Sequence, residues 1–478
     1  MRGVAVFWLL FFASPLFAQD GGEPSPMSEE PAEAETPMAE PEPSKPATPD
    51  FANMSSREFF AMIDFGPSYL EMLIDGEPLA QGEQEAVIRA VTRLRRLQPH
   101  RITRWLSLET PWQELLDNPK QHRLDFFLLT GTVQAVREVS VPAEAIENVG
   151  LATYYEVDVR FDETEGNAQG TIIVEQIPQA WRVALNPEKN VVGERFSCPG
   201  IFLKSYERED GQRGYVFVSP KLSWHPEKPN PALGVTPALV RLAEQGMDIG
   251  ELSHVVDRAK FEGLEREPFY QMMAAVTRLP IDQQMATSDK DVSQLLTLPK
   301  NGLMVSPETY RGEFIPLYGL CRRITRIEID DDDVRERLGL DHYYELSVFV
   351  PIPAPIVSQR PGDESTRKEF ANDYPVLVCV PELPAGLKVG EQLHQPIEVV
   401  GPFFKLWAYR TPFMSREDFT RRQISPLFIA SNVRLSEQKV NLETNNFVLA
   451  VLIILGVVIG MGVAFGLILG RKSSSRRR

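Results

Sequence analysis

Two kinds of hydrophobic pattern alternate along this chain, and they do so twice in the same order. In residues 83–97, Ala86, Val87, Ala90, Val91, Leu94 and Leu97 recur at three- and four-residue spacing, with Arg89, Arg93 and Arg96 on the other faces. That is the period of an amphipathic helix, and Pro99 ends it. Residues 267–279 repeat the pattern and Pro280 ends it, while weaker helical stretches precede each (56–75 and 236–262). Each helical part gives way to runs rich in β-branched and aromatic residues. In the first copy these are 124–139, 154–161, 171–175, 195–206 and 214–219; in the second, 314–329, 343–350, 376–380, 397–409 and 427–435. Period-two alternation over such lengths predicts strands. Gly131, inside the first long run, predicts a bend or bulge.

The two copies share residues as well as rhythm. Ala90-Val91-Thr92-Arg93-Leu94 returns as Ala275-Val276-Thr277-Arg278-Leu279, and Asp64-Phe65-Gly66 as Asp248-Ile249-Gly250. Leu129-Thr130-Gly131 returns as Leu317-Tyr318-Gly319, and Tyr154-Tyr155-Glu156-Val157 as Tyr343-Tyr344-Glu345-Leu346. Gln176-Ile177-Pro178 matches Glu382-Leu383-Pro384, and Gly200-Ile201-Phe202-Leu203-Lys204 matches Gly401-Pro402-Phe403-Phe404-Lys405. The offset of about 185 to 206 residues is far longer than a solenoid or propeller unit. The expected fold is therefore α+β, with two tandem homologous modules at 51–228 and 229–436. Five strands per module, a bent first strand and a long connection between the third and fourth resemble a small OB-like Greek-key barrel. An open antiparallel sheet is the alternative. Where the first copy has a short turn at 162–169, the second inserts residues 351–373, expected to form an exposed loop.

The two ends read differently. Arg2, an apolar run at 4–12 and small residues up to Ala18 match a signal peptide over 1–18. Residues 19–50, dominated by Glu, Pro, Ala, Ser and Thr, bury too little apolar area to offset ordering and are expected to be a disordered acidic spacer. Residues 447–470 are apolar and uncharged, long enough for one transmembrane helix, and the basic tail 471–478 places the C-terminus in the cytoplasm. The body is then extracytoplasmic, periplasmic or extracellular. Gly456, Gly460, Gly462, Gly466 and Gly470 give G-x-x-x-G spacings of the kind that pack membrane helices into homo-oligomers.

Charge and motifs narrow the function. With 66 acidic against 50 basic residues, the net charge of −16 argues against a nucleic-acid partner. No H-E-x-x-H, G-x-S-x-G, Walker or G-x-G-x-x-G sequence occurs, so no catalytic residue, cofactor or metal is assigned. The six histidines are scattered and read as surface or satisfied groups, and Asp330–Asp333 as a solvated acidic helix start or loop. Of the three cysteines, Cys321 and Cys379 fall on the first and third strands of the second module, where a disulfide can form if those strands adjoin. The fourth strand carries an aromatic–Lys–aromatic stripe in both copies. By strand alternation Phe202, Lys204 and Tyr206 share one face, as do Phe403, Lys405, Trp407 and Tyr409. Such a stripe holds a glycan or a peptide strand, or else its aromatics fill the barrel's contact with the helices while the lysine stem snorkels outward. The functional expectation is a membrane-anchored envelope protein with a duplicated binding or assembly module, the alternative an exported hydrolase with dispersed catalytic residues. Its expected partners are the membrane and a protein or glycan, met at that stripe or at the inserted loop.

Overall fold

The computed structural model describes residues 54–436, apart from 96, 98, 108–109, 163–167, 184–191, 209–210, 212, 281–282, 361–362 and 416–419. The leader, the spacer and the apolar segment 447–470 lie outside the described residues. Among those described, no helix is long and apolar enough to cross a membrane.

The architecture is mixed α+β, with two six-stranded sheets. The first contains β1 (Phe126–Ser140), β2 (Thr153–Phe161), β3 (Gln169–Gln176), β4 (Arg195–Glu207), β5 (Arg213–Lys221) and the short β6 (Ser223–Trp224). The second contains β7 (Phe314–Glu328) and β8 (His342–Pro351), then β11 (Asp373–Val380), β12 (Gly390–Tyr409), β13 (Gln423–Ile429) and the short β14 (Arg434–Leu435). Between β8 and β11 lies a separate antiparallel hairpin of β9 (Ile356–Arg360) and β10 (Asp363–Phe370). The inserted segment is thus a hairpin rather than the loop its Pro and charge content suggested. Val357 and Phe370 are typical strand residues, and Pro361-Gly362 falls between the two strands.

In the first sheet the order is β1-β2-β3-β5-β4, and β4 pairs back onto β1. In the second it is β7-β8-β11-β13-β12, and β12 pairs back onto β7. The third and fifth strands of each run parallel, while the other pairs are antiparallel. Each first strand serves two neighbours by changing partner along its length. Gly131 is where this happens in β1, facing Phe161 on β2 and Phe196 on β4. A Cβ there would lie 2.2 Å from the Arg160 carbonyl oxygen, so only glycine permits the approach. In β7, Gly319 pairs with Ile397 on β12 just before the pairing with β8 begins at Leu320, and a Cβ there would lie 2.7 Å from the Phe349 carbonyl oxygen.

Helices cover one outer face of each ring. The Gln84–Leu94 helix buries Ala86, Val87, Ala90, Val91 and Leu94 against Ile173, Ile201, Leu203, Val216 and Val218. The Arg266–Arg278 helix sets Met272, Met273, Ala275 and Val276 against Leu377, Cys379, Phe404 and Leu427. The second ring is filled by Leu317, Val348, Val376, Val378 and Phe428. The interior of the first, including Val157, Ile172 and Phe217, belongs to the same continuous core as the second helical layer.

Candidate functional site

The fourth-strand stripe does not lie on one face. A β-bulge interrupts β4 between Phe202 and Lys204, and an equivalent bulge interrupts β12 between Phe403 and Lys405. One extra residue inverts the alternation, so Phe202 and Phe403 enter the ring interiors while Lys204 and Lys405 turn to the helical layer. Both lysines are 0 % exposed. Lys204 Nζ donates to Glu83 Oε1 at 2.6 Å, and Lys405 Nζ to Glu265 Oε1 at 2.5 Å. Tyr206, Trp407 and Tyr409 stay half-buried against the helical side, with Trp407 and Tyr409 packed on each other at 5.1 Å.

Each glutamate sits just before the long helix of its layer and is held in the same way in both halves. Glu83 accepts from the backbone N–H of Ile74 (2.8 Å) and Ala80 (2.7 Å); Glu265 accepts from that of Val256 (2.9 Å) and Glu262 (2.8 Å). A second ion pair accompanies the first. Arg123 joins Asp75 at 2.8 Å and donates to the Leu203 carbonyl, while Arg311 joins Asp257 at 2.7 Å and donates to the Phe404 carbonyl. These acceptors are the bulged residues themselves. Buried charges survive only when paired and hydrogen-bonded; each charge here is paired, and Asp75 Oδ1 alone among these carboxylate oxygens is buried without a hydrogen-bond partner. Sequence reasoning found the lysines and missed Asp75, Glu83, Arg123, Asp257, Glu265 and Arg311. The signal was available: an aspartate precedes the glutamate at the same spacing in both copies, and the arginine stands just before the first strand.

The cysteines are free and buried, so the Cys321–Cys379 disulfide does not form. Although both lie on the same ring, Cys321 points into its interior and Cys379 out toward the helices. Burial pushes the Cys321 thiol up to about 11 and that of Cys198 up to about 12. Among the described residues no group of His, Cys, Asp and Glu is arranged to hold a metal. The aspartate run opens the Asp332–Leu338 helix, with Asp331 capping the N–H of Asp333.

A different cluster lies at the rim of the second ring, where the β9–β10 hairpin meets the connection from β12 to β13. Phe370 packs on Tyr374 at 4.8 Å and on Phe413 at 5.4 Å. Phe413 is 52 % exposed, and the Lys368 ammonium stands 6.0 Å from its ring centroid. Arg421 is buried and donates to the Ser358 carbonyl at 3.3 Å, pinning the connection to the hairpin. Arg410 and Arg422 flank it in solvent. At the hairpin's base the Arg322 guanidinium stacks 3.9 Å over Phe349 while pairing with Asp373 at 2.9 Å. One exposed aromatic, Phe413, backed by Phe370 and accompanied by cations, therefore stands here, beside the inserted segment.

No protein family matches the chain, and no curated protein does. Solved structures similar to it include a small single-stranded DNA-binding protein from Streptomyces coelicolor, at 15 % identity and TM-score 0.14, covering 26 % of this chain and 92 % of that one. The single-stranded DNA binding protein from Thermus aquaticus matches at 8 % identity and TM-score 0.14, over 65 % of this chain and 92 % of that one. Fission yeast Pot1 with ssDNA matches at 9 % identity and TM-score 0.15, over 66 % and 84 %. These neighbours run against the expectation of a membrane-anchored envelope module, or of an exported hydrolase, that excludes nucleic acid. The exclusion of nucleic acid is withdrawn, and the envelope-module and hydrolase readings with it. It rested on a charge averaged over the whole chain, and a local cationic–aromatic rim is invisible to an average. At these TM-scores the likenesses carry no argument about ligand, and the reading of function rests on the residues themselves.

Proposed function

We propose that the chain is a binding protein for single-stranded nucleic acid, made of two homologous OB-like barrels, with the rim of the second barrel as its principal contact. The strand order with its back-pairing and its parallel third and fifth strands supports the barrel reading. In barrels of this topology, the second and third strands and the loop between the fourth and fifth form the face that takes extended polymers. The β9–β10 hairpin extends the connection between β8 and β11, and Phe413 lies in the short Pro412–Ser415 helix of the connection after β12.

The observation that carries the reading is Phe413, a large aromatic side chain left half in water although it packs on Phe370 and stands beside Lys368. An exposed ring backed by a second ring is a platform for a base, worth about 1–3 kcal/mol per base stacked. Arg410 and Arg422 supply cations for the backbone. The net charge of −16 limits how many phosphates the chain neutralises, so affinity rests on stacking more than on ion release. The test is fluorescence anisotropy with labelled oligo-dT and a duplex of the same length across a salt series. The single strand is expected to bind better, with a shallow salt slope, and Phe413→Ala to weaken it by about tenfold. Equal binding of single strand and duplex, or an unchanged affinity in Phe413→Ala, would refute the reading.

A further inference from the structure

A cleft of about 400 Å³ opens between the end of β3, the end of β5 and the Ile249–His254 turn of 3-10 helix, away from the rim just described. Its wall carries two cationic side chains, Arg182 and Lys221, and the imidazole of His254, each from a separate element. The middle of the cluster is Glu251, largely buried, whose two oxygens are used differently. Oε1 accepts from Lys221 Nζ at 2.5 Å, and Oε2 lies 3.1 Å from His254 Nδ1. One carboxylate therefore holds an ammonium and an imidazole side by side. Lys221 keeps further N–H donors, and His254 keeps its Nε2, for whatever enters the cleft. Arg182 lies with its guanidinium 5.7 Å from the Tyr155 ring centroid and has no carboxylate partner among the described residues.

The remaining acid, Asp248, is committed inward. Its Oδ1 accepts from the backbone N–H of Trp224 (2.9 Å) and Gly250 (3.0 Å), and burial raises its carboxyl to about 6. Burial also works against the Lys221 ammonium, but the charges of Glu251 and Asp248 more than offset it and keep it protonated. Gly250 closes the floor: a Cβ there would press on Pro178 at 3.3 Å. Lys221 and His254 are held in place by Glu251 before any ligand arrives, which lowers the ordering cost of binding.

We infer that this cleft binds a phosphate-class oxyanion carried by a small molecule. Arg182 and Lys221, two cationic arms from separate elements, present more N–H groups than the two oxygens of a carboxylate can accept, and they match a tetrahedral anion with three or four. The inference does not depend on the nucleic-acid reading, since none of these residues belongs to the rim.

The test is calorimetric titration of the full chain with inorganic phosphate and then pyrophosphate at low ionic strength, with circular dichroism as the folding control. Saturable binding at one site is expected. Arg182→Ala, which removes an exposed side chain, is expected to weaken it by about tenfold, the usual weight of one charge-assisted contact. Lys221→Met should weaken it further, and Phe413→Ala should leave it unchanged. Absence of saturable binding in the wild type, or equal affinity in Arg182→Ala, overturns the assignment whatever Phe413→Ala does to oligonucleotide binding. If Lys221→Met fails to fold, the Arg182 variant decides alone.

Discussion

Replacing Lys405 by Met tests whether the buried ion pairs hold the helical layer to the ring. Methionine keeps an unbranched stem of similar length, so the main change is loss of the ammonium that meets Glu265 at 2.5 Å. Glu265 is 1 % exposed and keeps only its backbone donors from Val256 and Glu262. Stripping one partner from a buried pair leaves an uncompensated charge and costs about 3–5 kcal/mol. Removing both charges should cost less. In Lys405→Met/Glu265→Gln, one oxygen still accepts a backbone N–H and the other position becomes an amide nitrogen, which strands one donor at about 1–3 kcal/mol. The double variant should therefore be more stable than Lys405→Met alone, a sign that simple loss of packing cannot produce. Urea denaturation followed by tryptophan fluorescence measures both, since Trp407 lies on the same strand; at roughly 2 °C per kcal/mol, the single variant should also lower Tm by about 6–10 °C. A Lys405→Met protein within 1 kcal/mol of wild type, or a double variant weaker than the single, would show that the pair contributes nothing that burial of the stem does not.

Gly131→Ala should destabilise by roughly 1–3 kcal/mol or more, and Gly319→Ala by less, because the added methyl meets a carbonyl at 2.2 Å in one case and 2.7 Å in the other; thermal melts that rank them the other way would contradict the ring-closure role. The pH dependence of stability should carry the signature of Asp248. Its native value of about 6 lies above the unfolded value of ~3.9, so its contribution is fully present below pH 4 and is lost as pH rises through 6. Asp248→Asn, which keeps an acceptor for Trp224 and Gly250, should flatten that loss and be the more stable protein above pH 7, by up to about 2–3 kcal/mol; parallel pH profiles of the two proteins would show that Asp248 does not titrate in this range.

Much of the secondary structure was legible because its periods are strong. The helices at Gln84–Leu94 and Arg266–Arg278 and most strands fall within a few residues of where spacing put them, since their apolar faces meet a core along their whole length; in the second copy the fourth strand starts earlier than expected, at Gly390, and the fifth ends earlier, at Ile429. The stripe on the fourth strand was misread for one reason: alternation assumes an unbroken ladder, and the bulges after Phe202 and Phe403 break it. No composition marks those bulges, because what stabilises them is distant in sequence. The carbonyls of Leu203 and Phe404 are met by Arg123 and Arg311, side chains that pattern reasoning leaves on the surface. The inserted segment was placed correctly but its structure was missed, since high Pro and charge content hid two short strands. The rim cluster around Phe413 left no motif either, because hairpin and loop meet only after the ring has closed.

The core that runs unbroken from the interior of the first ring to the outer face of the second has a consequence for how this protein could be divided. Leu233, Ala238 and Leu242 of the linking segment share that core with Phe217 on one side and Leu427 on the other. A cut between the halves would expose apolar surface on both fragments, so neither is a natural unit for expression or exchange. The chain would be inherited, moved and degraded whole, and a lesion in one half should register as instability in the other.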